Sequence, residues 1–394
     1  MRVPVLIAVC LLFTADAFAD ELLVSGFNND DVLRFDAVTG RPIGSLGDVP
    51  GAQAVRFGPD GHLYACVEKL DEIRRYDEVT GALLGKFVFD DPSTGVDETG
   101  GLDGPTALDW GPSGDLFVAS FETDEVLKYD GTTGQFLGVF VAAASGGLDG
   151  PDNGMQFGAD GTLWVPSFWN SQVMRFDATS GAFLDAPMTS ADGLNRPRDF
   201  IFHSDGFVYV SSEGNGRVYR RLLSGGAWTL FTASPSAAGI AFGPDGSLYV
   251  ANSNRDSVRR YDAQGTFLDV FIPRAAGLNA PVSIRFVPDF GYRLKPISPG
   301  MAGVPNTLTA ERGSPGSNEY FLISLQTGLG MVPSCGTMFD LSSPVLLGSA
   351  SADAGGQATW TQSVPAGAFG VRVFFQAIEL ASCQVTRVQE HTFQ

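Results

Sequence analysis

The pentapeptide "FGPDG" at residues 57–61 returns letter for letter at 242–246. Between the two lie "WGPSG" from Trp110, "FGADG" from Phe157 and "FHSDG" from Phe202. The anchors Phe57, Trp110, Phe157, Phe202 and Phe242 are 53, 47, 45 and 40 residues apart. A period of this length constrains the fold more than any local signal, because each unit must stack on its neighbours to bury its apolar faces. The unit is larger than five letters. "HLYACVE" and "EIRRYDEVTGALLGKFVF" follow the first copy; "DLFVASF" and "EVLKYDGTTGQFLGVFV" follow the second. It reads as four short strands. The first ends at the anchor, and "PDG" makes a tight turn in which Pro presets φ and Gly takes positive φ. The "LYV" strand and the "V-x-R-[FY]-D" strand follow. A "D-x-x-T-G" turn then leads to the fourth. Four strands per ~40–50 residues is the period of a propeller blade.

The third-strand signature occurs six times: Phe35-Asp36, Tyr76-Asp77, Tyr129-Asp130, Phe176-Asp177, Tyr219-Arg220 and Tyr261-Asp262. The first copy has no anchor strand before it, and a sixth anchor strand, "PVSIRF", stands alone at 281–286. The last strand is therefore expected to join the first three, closing an all-β, six-bladed propeller over residues 20–294 with no open edge in the ring. The period stops after Arg293. "KPISPG" at 295–300 reads as a linker. The runs "EYFLISL", "QATWTQSV" and "GVRVFFQAI" then predict a small β-sandwich over 301–394.

Arg2, an apolar run from Val3 to Phe13 and the small-x-small stretch Ala17-Phe18-Ala19 predict a signal peptide over residues 1–19, cut between Ala19 and Asp20. No stretch reaches the ~18 apolar residues of a membrane span. Losing residues 1–19 removes one Arg and one Asp, so the net charge stays at −19. That charge disfavours nucleic acid and anionic membranes and suits a soluble exported protein, with association at the cell surface compatible. An oxidising compartment predicts that Cys335 and Cys383 pair. Cys66, inside the alternating "HLYACVE" strand, is expected to be an inert buried thiol.

The fifth copy, "GIAFGPDGSLYVANSNRDSVRRYDAQG", resembles an NHL repeat, and the repeated region resembles the six-bladed NHL and gluconolactonase-like propellers. The gluconolactonase resemblance implies a divalent cation at the channel mouth, held by acidic and Asn residues four positions before each anchor. Here those positions are Gln53, Thr106, Asn153, Arg198, Ala238 and Val282. Asn153 alone matches the pattern. Arg198 puts a cation where one should bind, and Ala238 and Val282 cannot coordinate. Asp152, Asn153 and Asp199 are the only candidates for a degenerate metal site, so the expectation is no cofactor. The amidating and streptogramin lyases, which share this fold, use His. The propeller here has only His62 and His203, both beside turns at the far face, which excludes three-His zinc. The "D-x-x-T-G" turns are similar to quinoprotein repeats, but the next strand lacks the docking Trp. No G-x-S-x-G, P-loop or H-E-x-x-H pattern occurs.

The loops sharing the inner-strand starts' face bring the aromatics Phe27, Phe121, Phe168 and Trp169 together with Asn170, and the long acidic link 90–104 runs on that face. The predicted ligand site is Gln53, Thr106, Asp152, Asn153, Arg198, Asp199, Phe121, Phe168, Trp169 and Asn170. Aromatic faces beside amides and carboxylates suit an extracellular glycan, peptide or protein. The first expectation is thus a secreted, non-enzymatic binding protein. A divergent metal-dependent lactonase, hydrolase or lyase is the second, and a structural surface-layer component is the third.

Overall fold

The computed structural model describes residues 21–78, 80–287, 293–294, 297–311, 316–331, 338–341, 343–353, 356–380, 384–386 and 389–393. The predicted cleavage site Ala19/Asp20 and the predicted pair Cys335 and Cys383 lie outside the described residues. Strands and short 3-10 turns make up the regular structure, and the chain divides into two compact units, Met1–Pro288 and Asp289–Gln394.

The first unit holds six four-stranded antiparallel sheets. Blade 1 runs through Ala52–Phe57, Leu63–Val67, Glu72–Tyr76 and Leu83–Val88. Blades 2 to 5 open with Pro105–Trp110, Gln156–Phe157, Pro197–Phe202 and Ala237–Phe242. Blade 6 has the order Pro281–Phe286, Glu21–Gly26, Asp31–Asp36, Pro42–Ser45. Leu22 lies opposite Phe286 and Val24 opposite Ile284, so the two ends of the repeat close one sheet. The innermost strands of neighbouring blades touch at every junction except that of blades 3 and 4, where Thr162–Ser167 meets Pro197–Phe202 and the Gly154 N–H donates to the Arg198 carbonyl at 2.9 Å, and the unit is a closed six-bladed β-propeller.

The recurring anchor joins blade to blade. Trp110 meets Tyr64 of the preceding blade edge-on at 4.8 Å. Phe157 meets Phe117 at 4.9 Å, Phe202 meets Trp164 at 5.3 Å, Phe242 meets Tyr209 at 4.8 Å and Phe286 meets Tyr249 at 4.9 Å. Such edge-to-face pairs contribute ~0.5–1.5 kcal/mol each beyond the area they bury. The "D-x-x-T-G" turns also join blades. Asp130 Oδ1 accepts hydrogen bonds from the Thr133 N–H at 2.8 Å and its hydroxyl at 2.9 Å, shaping the turn. Gly134 then sits at φ +76°, where an added Cβ would lie 1.9 Å from the Phe87 carbonyl oxygen of blade 1.

Cys66 is buried and free, and burial pushes its thiol far up. His62 meets Glu78 at 2.8 Å, and His203 stacks on Phe242 at 4.0 Å. Both serve turns at the face opposite the inner-strand starts.

The second unit is a β-sandwich. One sheet joins Arg293–Leu294, Pro305–Glu311 and Ala358–Ser363. A second runs Val345–Ser351, Asn318–Ser324, Arg372–Glu379, Gln384–Val385, with Gln389–Thr392 also on Arg372–Glu379, and Thr327–Met331 pairs with Met338–Leu341 in a separate two-stranded sheet. Leu294, Leu308, Ala310 and Ala358 from the first share a core with Phe321, Val373, Phe375 and Ala377 from the second. Arg293–Leu294, read with the propeller from the sequence, belongs here instead: its short strand pairs with Pro305–Glu311, and Leu294 is buried in this core.

Candidate functional site

Every blade enters its inner strand through a residue in the left-handed region: Gly51, Gly104, Gly150, Arg196, Ser236 or Ala280, with φ from +47° to +66°. The carbonyl of that residue accepts a hydrogen bond from the backbone N–H just past a second strand. The donors are Glu68 at 3.2 Å, Phe121 at 3.0 Å, Phe168 at 2.9 Å, Glu213 at 3.0 Å, Ser253 at 3.2 Å and Phe27 at 3.0 Å. One repeated bond thus places six side chains in a ring. All six line a cavity of about 580 Å³ together with Gln53, Thr106, Arg198 and Val282 from the inner strands. This is the mouth of the channel. Asp30, Asp71, Asp124 and Asp256, also at this face, accept from the N–H groups of Gly51, Gly104, Gly150 and Ala280 at 2.7–2.9 Å. These four carboxylates tie blades together.

Blade 3 departs from the pattern. Its inner strand is regular only at Gln156–Phe157, and residues 152–155 carry one residue more than the other blades between the left-handed Gly150 and the anchor. Asp152 and Asn153 are both buried just beneath the mouth. Asn153 donates from Nδ2 to Gln53 Oε1 at 2.8 Å and to Asp152 Oδ1 at 3.2 Å, while its own Oδ1 is buried with no hydrogen-bond partner. Gln53 in turn donates to Glu68. Arg198 Nε donates to Glu213 Oε2 at 2.8 Å, and Nη1 donates to Asp152 Oδ1 at 3.4 Å while lying 3.3 Å from Oδ2. Ser253 Oγ donates to Glu213 Oε1. Burial pushes Asp152 up to about 7 against the opposing pull of Arg198. Burial opposes the Arg198 charge, but Asp152 and Glu213 outweigh it and hold the guanidinium protonated. Burial also raises Glu68, partly offset by its bond from Gln53.

An aromatic shelf forms one wall. Phe168 and Trp169 meet edge-on at 4.9 Å, and Phe121 lies 6.1 Å from each. Phe168 is 6% exposed and Trp169 is 52% exposed, so one ring supports and the other presents a face. Arg198 lies 4.9 Å from the Phe168 centroid.

Of the residues predicted from sequence, Gln53, Thr106, Arg198, Phe121, Phe168 and Trp169 line the cavity. Asp152 and Asn153 lie beneath it, bonded to its lining. Thr106 is turned to the Pro151 carbonyl at 2.7 Å. Asp199 and Asn170 are not brought to the cavity. The two Asp199 oxygens accept from the N–H groups of Phe200 at 2.9 Å and Ile240 at 3.0 Å, so this carboxylate stitches blade 4 to blade 5. Asn170 donates to the Gly147 carbonyl. Asp91, Asp97 and Glu98 of the acidic link are not at the cavity either, but gather around Phe87, Phe89 and Phe136. The mouth's carboxylates are instead Glu68 and Glu213. A spacing signal marks them, because Gln53/Glu68, Thr106/Phe121, Asn153/Phe168, Arg198/Glu213 and Ala238/Ser253 are each 15 residues apart.

These donors do not fit a hard divalent cation. Asp199 is committed to backbone N–H groups, and of the two oxygens left without a hydrogen bond, Asp152 Oδ2 faces the Arg198 guanidinium and only Asn153 Oδ1 faces no cation. Among the described residues, His62, Asp77 and Glu78 are close enough together to share an ion, but they lie at the opposite end of the blade 1 strands.

Fold and site together define a six-bladed β-propeller with an aromatic and polar mouth. No family model and no curated protein matches the chain. Among solved structures, a chain of the nidogen/laminin complex is 16% identical with a TM-score of 0.54, covering 67% of this chain and 97% of that one. A protein of unknown function from Bacteroides caccae is 13% identical with a TM-score of 0.50, covering 67% and 97%. At these identities the likeness shows the propeller fold. No helix among the described residues is long and apolar enough to cross a membrane.

Proposed function

We propose that this chain is an exported, non-enzymatic binding protein whose ligand, an extracellular glycan, peptide or protein, sits in the propeller mouth. The observation that carries this reading is one cavity of about 580 Å³ in which the aromatic shelf faces the polar rim of Gln53, Glu68, Glu213 and Ser253. The size falls within the ~300–1,000 Å³ of small-molecule sites. The hydroxyl best placed to act as a nucleophile, Ser253 Oγ, donates to a carboxylate that Arg198 already neutralises, and no His lines the cavity to activate it. The sandwich serves as an accessory adhesion or sorting module. The test is an array of extracellular glycans and peptides probed with the labelled chain. The reading expects retention on one ligand class and a loss of at least tenfold for Trp169→Ala. A chain that is retained nowhere sinks it.

The second reading is a metal-assisted hydrolase or lyase, favoured by the orphaned Asn153 Oδ1. It requires about one calcium or zinc per chain in elemental analysis after metal-free gel filtration, lost in Asn153→Ala. A metal-free chain that turns over no lactone rules it out.

A further inference from the structure

We propose that the mouth contains a carboxylate subsite built on Arg196, and that the ligand is an oligosaccharide bearing an acidic sugar. This rests on the binding reading above and names its ligand class. Arg196 lines the cavity and occupies one of the six left-handed positions, at φ +54°. Blades 1 to 3 have Gly at that position, where an L side chain is disfavoured. Among the described residues the Arg196 guanidinium has no ion pair and no hydrogen bond; only its backbone N–H is bonded, to Ser171 Oγ at 3.1 Å. The other cations nearby are committed: Arg198 to Glu213 and Asp152, and Lys69 to Asp30. Arg196 instead lies 5.2 Å from the Trp169 centroid and 5.7 Å from that of Phe168. The rings hold the guanidinium without consuming its N–H groups, which remain free for a bidentate carboxylate.

The neighbours select a sugar as the carrier of that carboxylate. Trp169 presents a half-exposed indole of the kind that covers the C–H face of a pyranose, and Ser236, Ser253 and Asn254 line the same cavity with hydroxyl and amide groups. An acidic sugar supplies the carboxylate and the ring face in one residue, whereas an acidic peptide must supply them from two separate side chains. A polyanion is repelled by a chain of net charge −19, so the fitting ligand has one localised carboxylate.

The test uses the full chain on matched glycan pairs, each neutral oligosaccharide beside its glucuronate-terminated counterpart, with acidic peptides on the same array. The best pair is then titrated by calorimetry against wild type, Arg196→Gly and Arg196→Lys. Arg196→Gly does not threaten the fold, because three blades already carry Gly there. The expected result is at least tenfold tighter binding of the glucuronate member by wild type. That preference disappears in Arg196→Gly, survives in part in Arg196→Lys and weakens with added salt. Equal binding of both members overturns the subsite and leaves the binding reading standing. Retained preference in Arg196→Gly, or capture of acidic peptides over glycans, overturns it as well. Retention of nothing removes both.

Discussion

Asp152 is fully buried, and its carboxyl is pushed up to about 7, chiefly by that burial. The folded protein therefore holds this proton more tightly than the unfolded chain, whose carboxyl titrates near ~4. The neutral form's contribution is complete below ~4 and declines as the pH rises to about 7. Asp152→Asn keeps the shape and removes the titration. Melting temperatures from pH 4 to 8 should fall more steeply for wild type than for Asp152→Asn; parallel curves would contradict the assignment. Arg198→Ala tests the same contact from the other side. It should cost ~3 kcal/mol in urea unfolding at pH 8, where Asp152 must either keep its charge without its partner or take up a proton, and clearly less at pH 5. At this scale much of the mouth was legible. Counting four residues back from each anchor finds Gln53, Thr106, Asn153 and Arg198. The same count says nothing about Glu68 and Glu213, which belong to a different strand and are placed by a backbone hydrogen bond that only the fold creates. Asp199 shows the converse error. Adjacency to Arg198 suggested a ligand, while its actual partners are two backbone N–H groups.

The elements were read correctly as turns and strands, but their work between blades was hidden. The sequence marks Gly134 as a left-handed turn residue. It does not reveal that the Phe87 carbonyl of the preceding blade fills the space beside it. Gly134→Ala should therefore destabilise the propeller by ~3 kcal/mol, combining positive-φ strain with a backbone clash. Gly114→Ala is the internal comparison, because Gly114 has φ +84° with open space around the added Cβ. It should cost only ~1 kcal/mol. Urea unfolding of both variants measures the difference, and equal losses would mean that the interblade contact contributes nothing. The anchors follow the same logic. An aromatic before a Gly-ended turn was visible in the sequence, and its edge-on partner in the preceding blade was not.

At the scale of the whole molecule the period decides the architecture. Six third-strand signatures with the orphan strands at opposite ends of the repeat specify a ring closed by Pro281–Phe286 on Glu21–Gly26, as observed. The acidic link was less legible, because its length and charge suggested the mouth while its course is fixed by packing against Phe87 and Phe136. The central claim is that the ligand sits in the mouth, and the five tryptophans allow a direct test. Trp169 is half-exposed at the cavity, Trp110 and Trp164 pack between blades at the anchor level, Trp228 in the last turn of blade 4 donates to the Pro187 carbonyl of blade 3, and Trp360 is in the sandwich. A proton–nitrogen correlation spectrum of the tryptophan-labelled chain gives one indole signal for each, assigned by single Trp→Phe variants. Addition of the ligand class retained on the array should shift the Trp169 signal and leave the other four in place. A ligand that binds while moving Trp228 or Trp360, with Trp169 unchanged, would contradict the account.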